Sequence, residues 1–221
     1  MAVTIYYVRH GQTMFNLHRR LQGMCDSPLT EKGISDARRA ERALREIPFD
    51  RAWCSSSERC IDTAAIVLER HNVKAMPLKQ LKEVDFGELD GNLIEDIQEE
   101  YDRRKIDDSF GDIGGDTAES IYQRITGVFD RIADSSMEGD NVLVVSHGSF
   151  GMHTLKFLFG LDVWEFSRIR HAIDPNQYMF PNCGIMKFRR SGDAWELLEL
   201  PCEPESFTDR KETLRDYPRM G

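Results

Sequence analysis

The chain has 221 residues, of which 40% are hydrophobic and 30% are charged, and its formal net charge is −9. This length allows one large domain with a substantial core, and the composition is ordinary for a soluble globular protein. The acidic balance argues against broad nucleic-acid binding, which needs a basic face. The apolar runs are too short for a membrane span, and no basic-then-apolar leader is visible at the N-terminus. We therefore expect neither nucleic acid nor a membrane as a partner.

The cysteines are odd in number and scattered, without a CxxC pair. In the absence of a secretion signal, this pattern predicts reduced thiols in a cytoplasmic protein and disfavours a structural zinc site. The five cysteines are Cys25, Cys54, Cys60, Cys183 and Cys202.

Two apolar runs end in the same pair of residues. The run at residues 4–8 predicts a buried strand, after which the chain changes abruptly to Arg9, His10 and a glycine. The run at residues 141–146 predicts a second central strand, which ends in His147 and again a glycine. Ligands of open α/β sheets bind at the carboxyl ends of the strands. Two strands that each deliver a histidine there are hard to explain by packing alone.

Between these two strands the pattern alternates between strand and helix. Thr30 is a helix-capping residue, and apolar residues recur at helical spacing up to about residue 47. Further elements are predicted as a strand at 51–54, a helix from the serines at 55–57 to about 71, and a weak strand at 75–78. In the second helix, Ile61, Ala64, Ala65 and Leu68 are expected to share the buried face. This alternation predicts a mainly parallel sheet covered on both faces.

The segment from residue 81 to residue 115 has a different composition, rich in glycine, aspartate and glutamate. Its length suits an inserted cap over the edge of the sheet, at about residues 84–115, and the charged run at 99–108 predicts a solvated helix face. We hypothesise that four apolar residues of the cap form a wall over the substrate. They are Phe86, Leu93, Ile94 and Phe110.

The last third of the chain begins with a helix predicted near Asp116 and Thr117 and, after the second central strand, another at about 150–159. Two strands, at 183–189 and 194–200, flank a plausible hairpin turn that contains Gly192. The last twenty residues are highly charged and predict a helix or a loosely held tail.

Several motifs along most of the chain resemble the histidine phosphatase superfamily, branch 1, which includes the cofactor-dependent phosphoglycerate mutases. They lie at residues 9–13, 16, 21–23, 26–33, 55–64, 83–91 and 146–148. The resemblance implies a single domain over residues 1–221, folded as a three-layer α/β/α sandwich. It also implies a mainly parallel sheet with one antiparallel strand and the small cap.

The same residues suggest phosphate chemistry from first principles. Arg9 and Arg59 offer planar donors that suit phosphoryl oxygens and keep their charge near neutral pH. The sequence has neither a Walker-type loop nor a metal-ligand spacing, so the cluster would work without a metal. A neutral imidazole, with an ordinary pKa of about 6.5, is a good nucleophile at pH 7. His10 is therefore the candidate that would form a phosphohistidine.

The resemblance assigns the remaining roles. His147 would donate a hydrogen bond to the phosphoryl oxygens, the two arginines would stabilise their charge, and Glu83 would be the general acid. The substrate-binding positions that match the family are Arg9, Asn16, Gln22, Gly23, Arg59 and Gly148.

Hydrolysis and isomerisation are both compatible with these residues. The family's glycolytic mutases carry a longer insert with an Arg-His-Tyr-Gly run after the acid, where this chain has Val84, Asp85, Phe86 and a glycine. We therefore favour a phosphatase acting on a small phosphorylated metabolite, without a cofactor. The alternatives are a phosphoglycerate mutase, which would need 2,3-bisphosphoglycerate, and a phospho-ligand binding protein without turnover. A homodimer is compatible with the sequence.

Two positions depart from the usual family pattern. Asp62 stands where a glutamine or glutamate is usual, and Asp90 stands where a glutamate is usual. Both side chains are shorter, so their contacts around the site are expected to differ.

Overall fold

The computed structural model describes residues 2–163 and 180–211, and every helix and strand below lies within them. The strands are β1 (Ala2–Arg9), β2 (Arg51–Ser55), β3 (Met76–Leu78), β4 (Asn141–Ser146), β5 (Ile185–Ser191) and β6 (Ala194–Cys202). The helices are α1 (Met14–Leu17), α2 (Glu31–Leu44), α3 (Glu58–Val67), α4 (Ile94–Asp107), α5 (Ala118–Asp134) and α6 (Gly148–Phe159). In this part of the chain no helix combines the length and the apolar character needed to cross a bilayer.

The six described strands form one sheet in the order β3-β2-β4-β1-β5-β6. β1, β2, β3 and β4 pair in parallel, whereas β5 pairs antiparallel with both β1 and β6. Of the described strands, β5 alone therefore runs against the others. This confirms the predicted mainly parallel sheet with one antiparallel strand.

Alternate residues of the central strands enter two different cores, because successive side chains of a strand point to opposite faces. Ile5 and Tyr7 of β1 are buried in a core that contains residues of α5 and α6. Tyr6 and Val8 are buried in a second core with residues of α2 and α3. Each fully buried large apolar side chain contributes about 1.5–3 kcal/mol. The two cores give the three-layer α/β/α arrangement.

The helix starts follow local capping chemistry. Thr30 caps α2 by accepting the N–H of Gly33, and Thr117 forms a capping box with Ser120 at the start of α5. Gly192 lies in the β5–β6 hairpin turn with a positive φ of 62°. These three boundaries confirm the predictions made from threonine and glycine.

The predicted buried face of α3 is partly wrong. Ile61 is 39% exposed and Ala65 is exposed, whereas Ala64 and Leu68 are buried as predicted. The helix instead buries Arg59 and Thr63, whose polar groups bond to other parts of the chain. Hydropathy assigns such residues to the solvent side, so the predicted face is rotated away from the observed one.

Residues 84–115 contain a 3-10 turn (Gly87–Leu89), helix α4 and a second 3-10 turn (Gly111–Ile113). Within the charged run on α4, Glu99, Arg103 and Asp107 are exposed, whereas Arg104 is buried, and Asp108 at the C-cap is buried too. Backbone bridges tie this segment to the rest of the chain, from Leu93 to Arg20 and from Ser109 to Thr117. The predicted tail extends past residue 211, outside the described residues.

Candidate active site

The parallel register of β1 and β4 brings the two strand-end histidines side by side. Arg9 is in register with Ser146, and the next backbone N–H, that of His10, donates to the carbonyl of Ser146 at 2.9 Å. The ring centroids of His10 and His147 are 5.4 Å apart. The two apolar runs therefore converge on one point at the carboxyl edge of the sheet.

The His10 ring is held in one tautomer. Its Nδ1 lies 2.8 Å from the carbonyl oxygen of Gly11, which only accepts hydrogen bonds, so Nδ1 carries the proton. Burial, and then the charges of Arg59 and Arg9, hold the pKa of His10 well below its ordinary value. The side chain is consequently neutral near pH 7, with the lone pair on Nε2.

The backbone around His10 is fixed by residues that the sequence analysis did not single out as site residues. Thr63 of α3 accepts the N–H of Gly11 at 3.0 Å, and the Asn182 amide donates to the carbonyl of His10 at 3.1 Å. Gly11 is required by a close approach, since a Cβ there would lie 2.6 Å from the carbonyl oxygen of Gly33. Thr63 lies within the motif at residues 55–64, which is its available signal, whereas Asn182 lies outside the motifs named above.

His147 is enclosed differently. Its Nδ1 lies 2.9 Å from Nη2 of Arg59, which can only donate, so the ring proton is on Nε2. Nε2–H donates to Oγ of Ser55 at 2.8 Å. The side chain is fully buried, and burial, followed by the charges of Arg59, His10 and other nearby groups, holds its pKa well below the ordinary value.

Arg59 is 0% exposed and connects the loop after α1 to His147. Its guanidinium donates to the carbonyls of Gly23 and Cys25 and pairs with Asp26 at 2.9 Å. Within the described chain its Nε has no hydrogen-bond partner. The shorter Asp90 supports the same loop, because its two oxygens accept the N–H groups of Gly23 and Cys25 at 2.6 Å each.

Glu83 is 5% exposed and docks on the first turn of α6. Its Oε1 accepts the N–H groups of Val84 and Phe150, and its Oε2 accepts the N–H of Ser149 at 3.0 Å. Arg124 fixes the preceding backbone by donating to the carbonyls of Lys82 and Glu83. Three N–H donors, two of them at the N-terminus of α6, suit a carboxylate, and Oε2 keeps a lone pair for a proton.

A pocket of about 300 Å³ opens above these groups. The predicted site residues that line it are Arg9, His10, Asn16, Gln22, Glu83 and Gly148. Gly23, Arg59 and His147 do not line it, so Arg59 and His147 support the site from behind in this structure. Gly148 lets Arg9 lie close, since a Cβ there would be 3.1 Å from the guanidinium Nε.

The side chain of Gln22 is engaged within its own loop. Its Oε1 accepts from Thr13 at 2.7 Å, and its Nε2 donates to Ser27 at 3.0 Å. Asn16 accepts the N–H of Thr13 and the amide of Asn182 through one oxygen. Both residues shape the loop that borders the pocket as well as lining it.

No group of three or more His, Cys, Asp or Glu side chains is placed to hold a metal ion in residues 2–163 and 180–211. A second cavity of about 410 Å³ lies between α3 and the loop that leads to β3, and it is lined by none of the predicted site residues.

The family model of the histidine phosphatase superfamily (branch 1) matches residues 5–202. The chain belongs to this superfamily. It is 28% identical to the probable phosphoglycerate mutase GpmB of Salmonella paratyphi A over 196 residues, and this alignment covers 86% of each chain. The histidine phosphatase fold is shared with phosphoglycerate mutase from Bacillus anthracis, at 26% identity and a TM-score of 0.76, over 90% of this chain and 92% of that one. A putative alpha-ribazole-5'-P phosphatase from Escherichia coli has the same fold, with a TM-score of 0.74 at 22% identity, over 91% of this chain and 98% of that one.

Proposed function

We propose that this histidine phosphatase superfamily member is a metal-independent phosphomonoesterase that works through a phosphohistidine on His10. The observation that carries the proposal is the state of the His10 ring. Its Nδ1–H is bonded to Gly11 and its pKa is depressed, so Nε2 offers an unprotonated lone pair at the pocket wall. A small phosphorylated metabolite is the proposed substrate, and a cytoplasmic location remains a prediction.

In the first half-reaction the Nε2 lone pair of His10 attacks phosphorus and the ester P–O bond breaks. Glu83 gives a proton to the leaving oxygen, which departs as the alcohol. Negative charge from a phosphate beside Glu83 favours the protonated carboxyl that this step needs. Arg9 stabilises the phosphoryl oxygens directly, and the buried Arg59 guanidinium, which Nδ1 of His147 holds, adds positive potential behind them.

In the second half-reaction a water molecule attacks the phosphorus of the phosphohistidine and gives its proton to Glu83. The P–N bond breaks, its electron pair returns to Nε2 of His10, and inorganic phosphate leaves. The Nδ1–H bond to Gly11 remains throughout, so the ring returns to its starting tautomer. Each cycle therefore restores the protonation of both residues.

The competing reaction is that of a phosphoglycerate mutase. The proteins that this chain resembles carry the names of both mutases and a phosphatase. A mutase must hold a bisphosphate and protect the phosphohistidine from water. Of residues 84–87, only Phe86 lines the described pocket, and its ring carries no positive charge. The side chain of Asp85 accepts the N–H of Gly87 within its own turn. These contacts favour hydrolysis, because the segment supplies no charge for a second phosphate.

The deciding experiment incubates the protein with 3-phosphoglycerate and a chelator, with and without 2,3-bisphosphoglycerate. We expect free phosphate without added metal, and no turnover by His10→Ala. Conversion to 2-phosphoglycerate that 2,3-bisphosphoglycerate stimulates would overturn the phosphatase assignment in favour of the mutase. Tight binding of phosphate esters without either product would favour the phospho-ligand binding protein.

A further inference from the structure

Resting on the proposed phosphatase function, we propose that the alcohol part of the substrate is uncharged and apolar. A substrate of this class is an aryl-alkyl or branched-alkyl phosphate. The proposal comes from the apolar share of the lining of the pocket that also contains His10 and Glu83. The apolar and aromatic residues of that lining are Leu21, Phe86, Ile94, Tyr101, Met152 and Phe180.

The apolar lining is rigid on the side of residues 84–115. The Phe86 ring is 3% exposed and packs edge-on against Phe110, with centroids 5.2 Å apart. Tyr101 of α4 packs edge-on against the same ring at 5.7 Å. Such edge-to-face packing fixes ring orientation. Of the four residues hypothesised as a wall, Phe86 and Ile94 line the pocket, whereas Phe110 lies behind Phe86 and Leu93 is not part of the lining.

Arg20 is one of two further cationic candidates in the described lining that a second anionic group of a substrate could use. It is exposed, and its Nη1 donates to the carbonyl of Gly91 at 2.7 Å. Ion pairs of exposed arginines are worth little in water. Arg20 is therefore a poor anchor for a carboxylate or a second phosphate.

His153 is the other candidate, and its donors are already used. Nδ1 lies 2.7 Å from the carbonyl of Ser149 and Nε2 lies 2.7 Å from Oδ1 of Asp108. Lys156 binds the other oxygen of Asp108, at 2.9 Å. A second anion would find no spare N–H on this ring, and it would have the Asp108 carboxylate beside it.

The charge around the pocket also disfavours a doubly anionic ester. Glu83 lines the pocket with a carboxyl group that accepts three backbone N–H groups and donates none of its own to a ligand at rest, and the whole chain carries a net charge of −9. Arg9 serves the phosphoryl group next to His10. An apolar alcohol group gains from burial against the six lining residues, whereas a carboxylate would lose its water shell without a desolvated partner.

The test compares three phosphates of primary alcohols, so that the leaving groups have similar basicity. They are 2-phenylethyl phosphate, glycerol 1-phosphate and 3-phosphoglycerate. We expect kcat/KM for 2-phenylethyl phosphate to exceed that for 3-phosphoglycerate by at least about tenfold, with glycerol 1-phosphate between them.

Two substitutions at one lining position sharpen this test. Met152→Ala should lower kcat/KM for 2-phenylethyl phosphate about fivefold and leave that for glycerol 1-phosphate nearly unchanged. Met152→Lys should raise the relative rate with 3-phosphoglycerate, because it adds the missing cation. Met137→Ala is the matched control, since Met137 is 65% exposed and lies outside the pocket.

The outcomes separate this inference from the proposed function. Turnover that prefers 3-phosphoglycerate, or an equal loss for all three esters in Met152→Ala, would overturn the apolar specificity while the phosphatase stands. If 3-phosphoglycerate is the preferred ester and Arg20→Gln lowers the activity with that ester only, Arg20 binds the second anionic group and the apolar specificity is wrong. Absence of turnover with every ester would remove the proposed function itself.

Discussion

The ends of β1 and β4 carry the same two residues, histidine and glycine, and yet they place their histidines in different chemical states. His10 keeps its proton on Nδ1, exposes Nε2 to the pocket and is bordered by the backbone of Gly11. His147 keeps its proton on Nε2 and uses both ring nitrogens, toward Arg59 and Ser55. The His-Gly motif therefore determines where each histidine lies, whereas the hydrogen-bond partners of each ring determine its tautomer and its chemical role.

The hydrogen-bond partner of the His10 ring is close to it in the sequence, whereas the partners of the His147 ring are far from it in the sequence. Gly11 is the next residue after His10, so the nucleophilic tautomer is specified locally. Arg59 and Ser55 lie on α3 and β2, so the tautomer of His147 depends on the assembled sheet. The four predictions below test this contrast in order of expected effect.

Removing the nucleophile should have the largest effect. His10→Ala is expected to lower kcat by at least about 10³-fold, because no other histidine ring in the described lining of this pocket has a free Nε2. Rapid-quench labelling with a ³²P-labelled ester should trap an acid-labile phosphoenzyme in the wild type, with the label on the peptide that contains His10. Label on the peptide that contains His147 would reverse the two assignments.

Removing His147 should have a smaller effect of a different kind. His147→Ala takes away the buried acceptor that holds the Arg59 guanidinium behind the phosphoryl group, so we expect a loss of about 10²-fold in kcat, the size typical of one electrostatic contact to a transition state. The phosphoenzyme on His10 should still form, more slowly, and single-turnover quench measurements would detect it. Complete absence of phosphoenzyme with an intact fold would show that His147 is needed for covalent chemistry itself.

Stability should respond to pH through the same two rings. Both have a folded-state pKa below the ordinary value of about 6.5, so the unfolded state binds more protons as the pH falls below 6.5. The free energy of unfolding is therefore highest above pH 6.5 as far as these two rings are concerned. It falls toward pH 5 by up to about 2 kcal/mol per histidine. Urea unfolding at pH 7.5 and pH 5.0 measures this loss.

The variant His147→Gln should flatten that pH dependence, because one of the two contributing rings is gone. His18→Gln is the control, since His18 is exposed and should leave the wild-type slope unchanged. A slope that is the same in His147→Gln and in the wild type would contradict the depressed pKa of His147.

The sequence was informative where local chemistry decides the structure. The strand-end histidines, the threonine caps of α2 and α5 and the hairpin at Gly192 follow from neighbouring residues. The fold class followed from the alternation of strands and helices together with the family motifs. His10 is another local case, because its partner is the adjacent carbonyl.

Prediction failed where distant groups change what a side chain does. Among the described residues, Arg59 has the largest fully buried side chain. Hydropathy predicts an exposed arginine, and the side chain is buried because its acceptors come from the loop near Asp26 and from His147. The serines before α3 were expected to cap that helix. Ser57 stands at the N-cap but makes no capping bond with its side chain, and Asp26 instead accepts the N–H of Glu58 at 2.5 Å.

Ser55 gives the smallest and most specific test of the contrast between the rings. Ser55→Ala removes the acceptor of the buried Nε2–H of His147, which leaves one of the two anchors of the ring. We expect about a tenfold loss of kcat with little change in KM, and a loss of stability of about 1–3 kcal/mol for the unpaired donor. Ser55→Thr, which keeps the hydroxyl, should recover most of the activity.

The matched control is Ser136→Ala, which removes another buried serine hydroxyl, one that donates to the carbonyl of Ile132 at 2.8 Å on α5. It should cost comparable stability and leave kcat unchanged, because Ile132 belongs to the apolar core and not to the pocket. If Ser55→Ala and Ser136→Ala lose stability equally and neither loses activity, Ser55 is a packing residue. The orientation of His147 would then depend on Arg59 and on Cys60, whose Sγ lies 3.5 Å from Nε2 of the ring, and the difference between the two strand ends would rest on these two residues of α3.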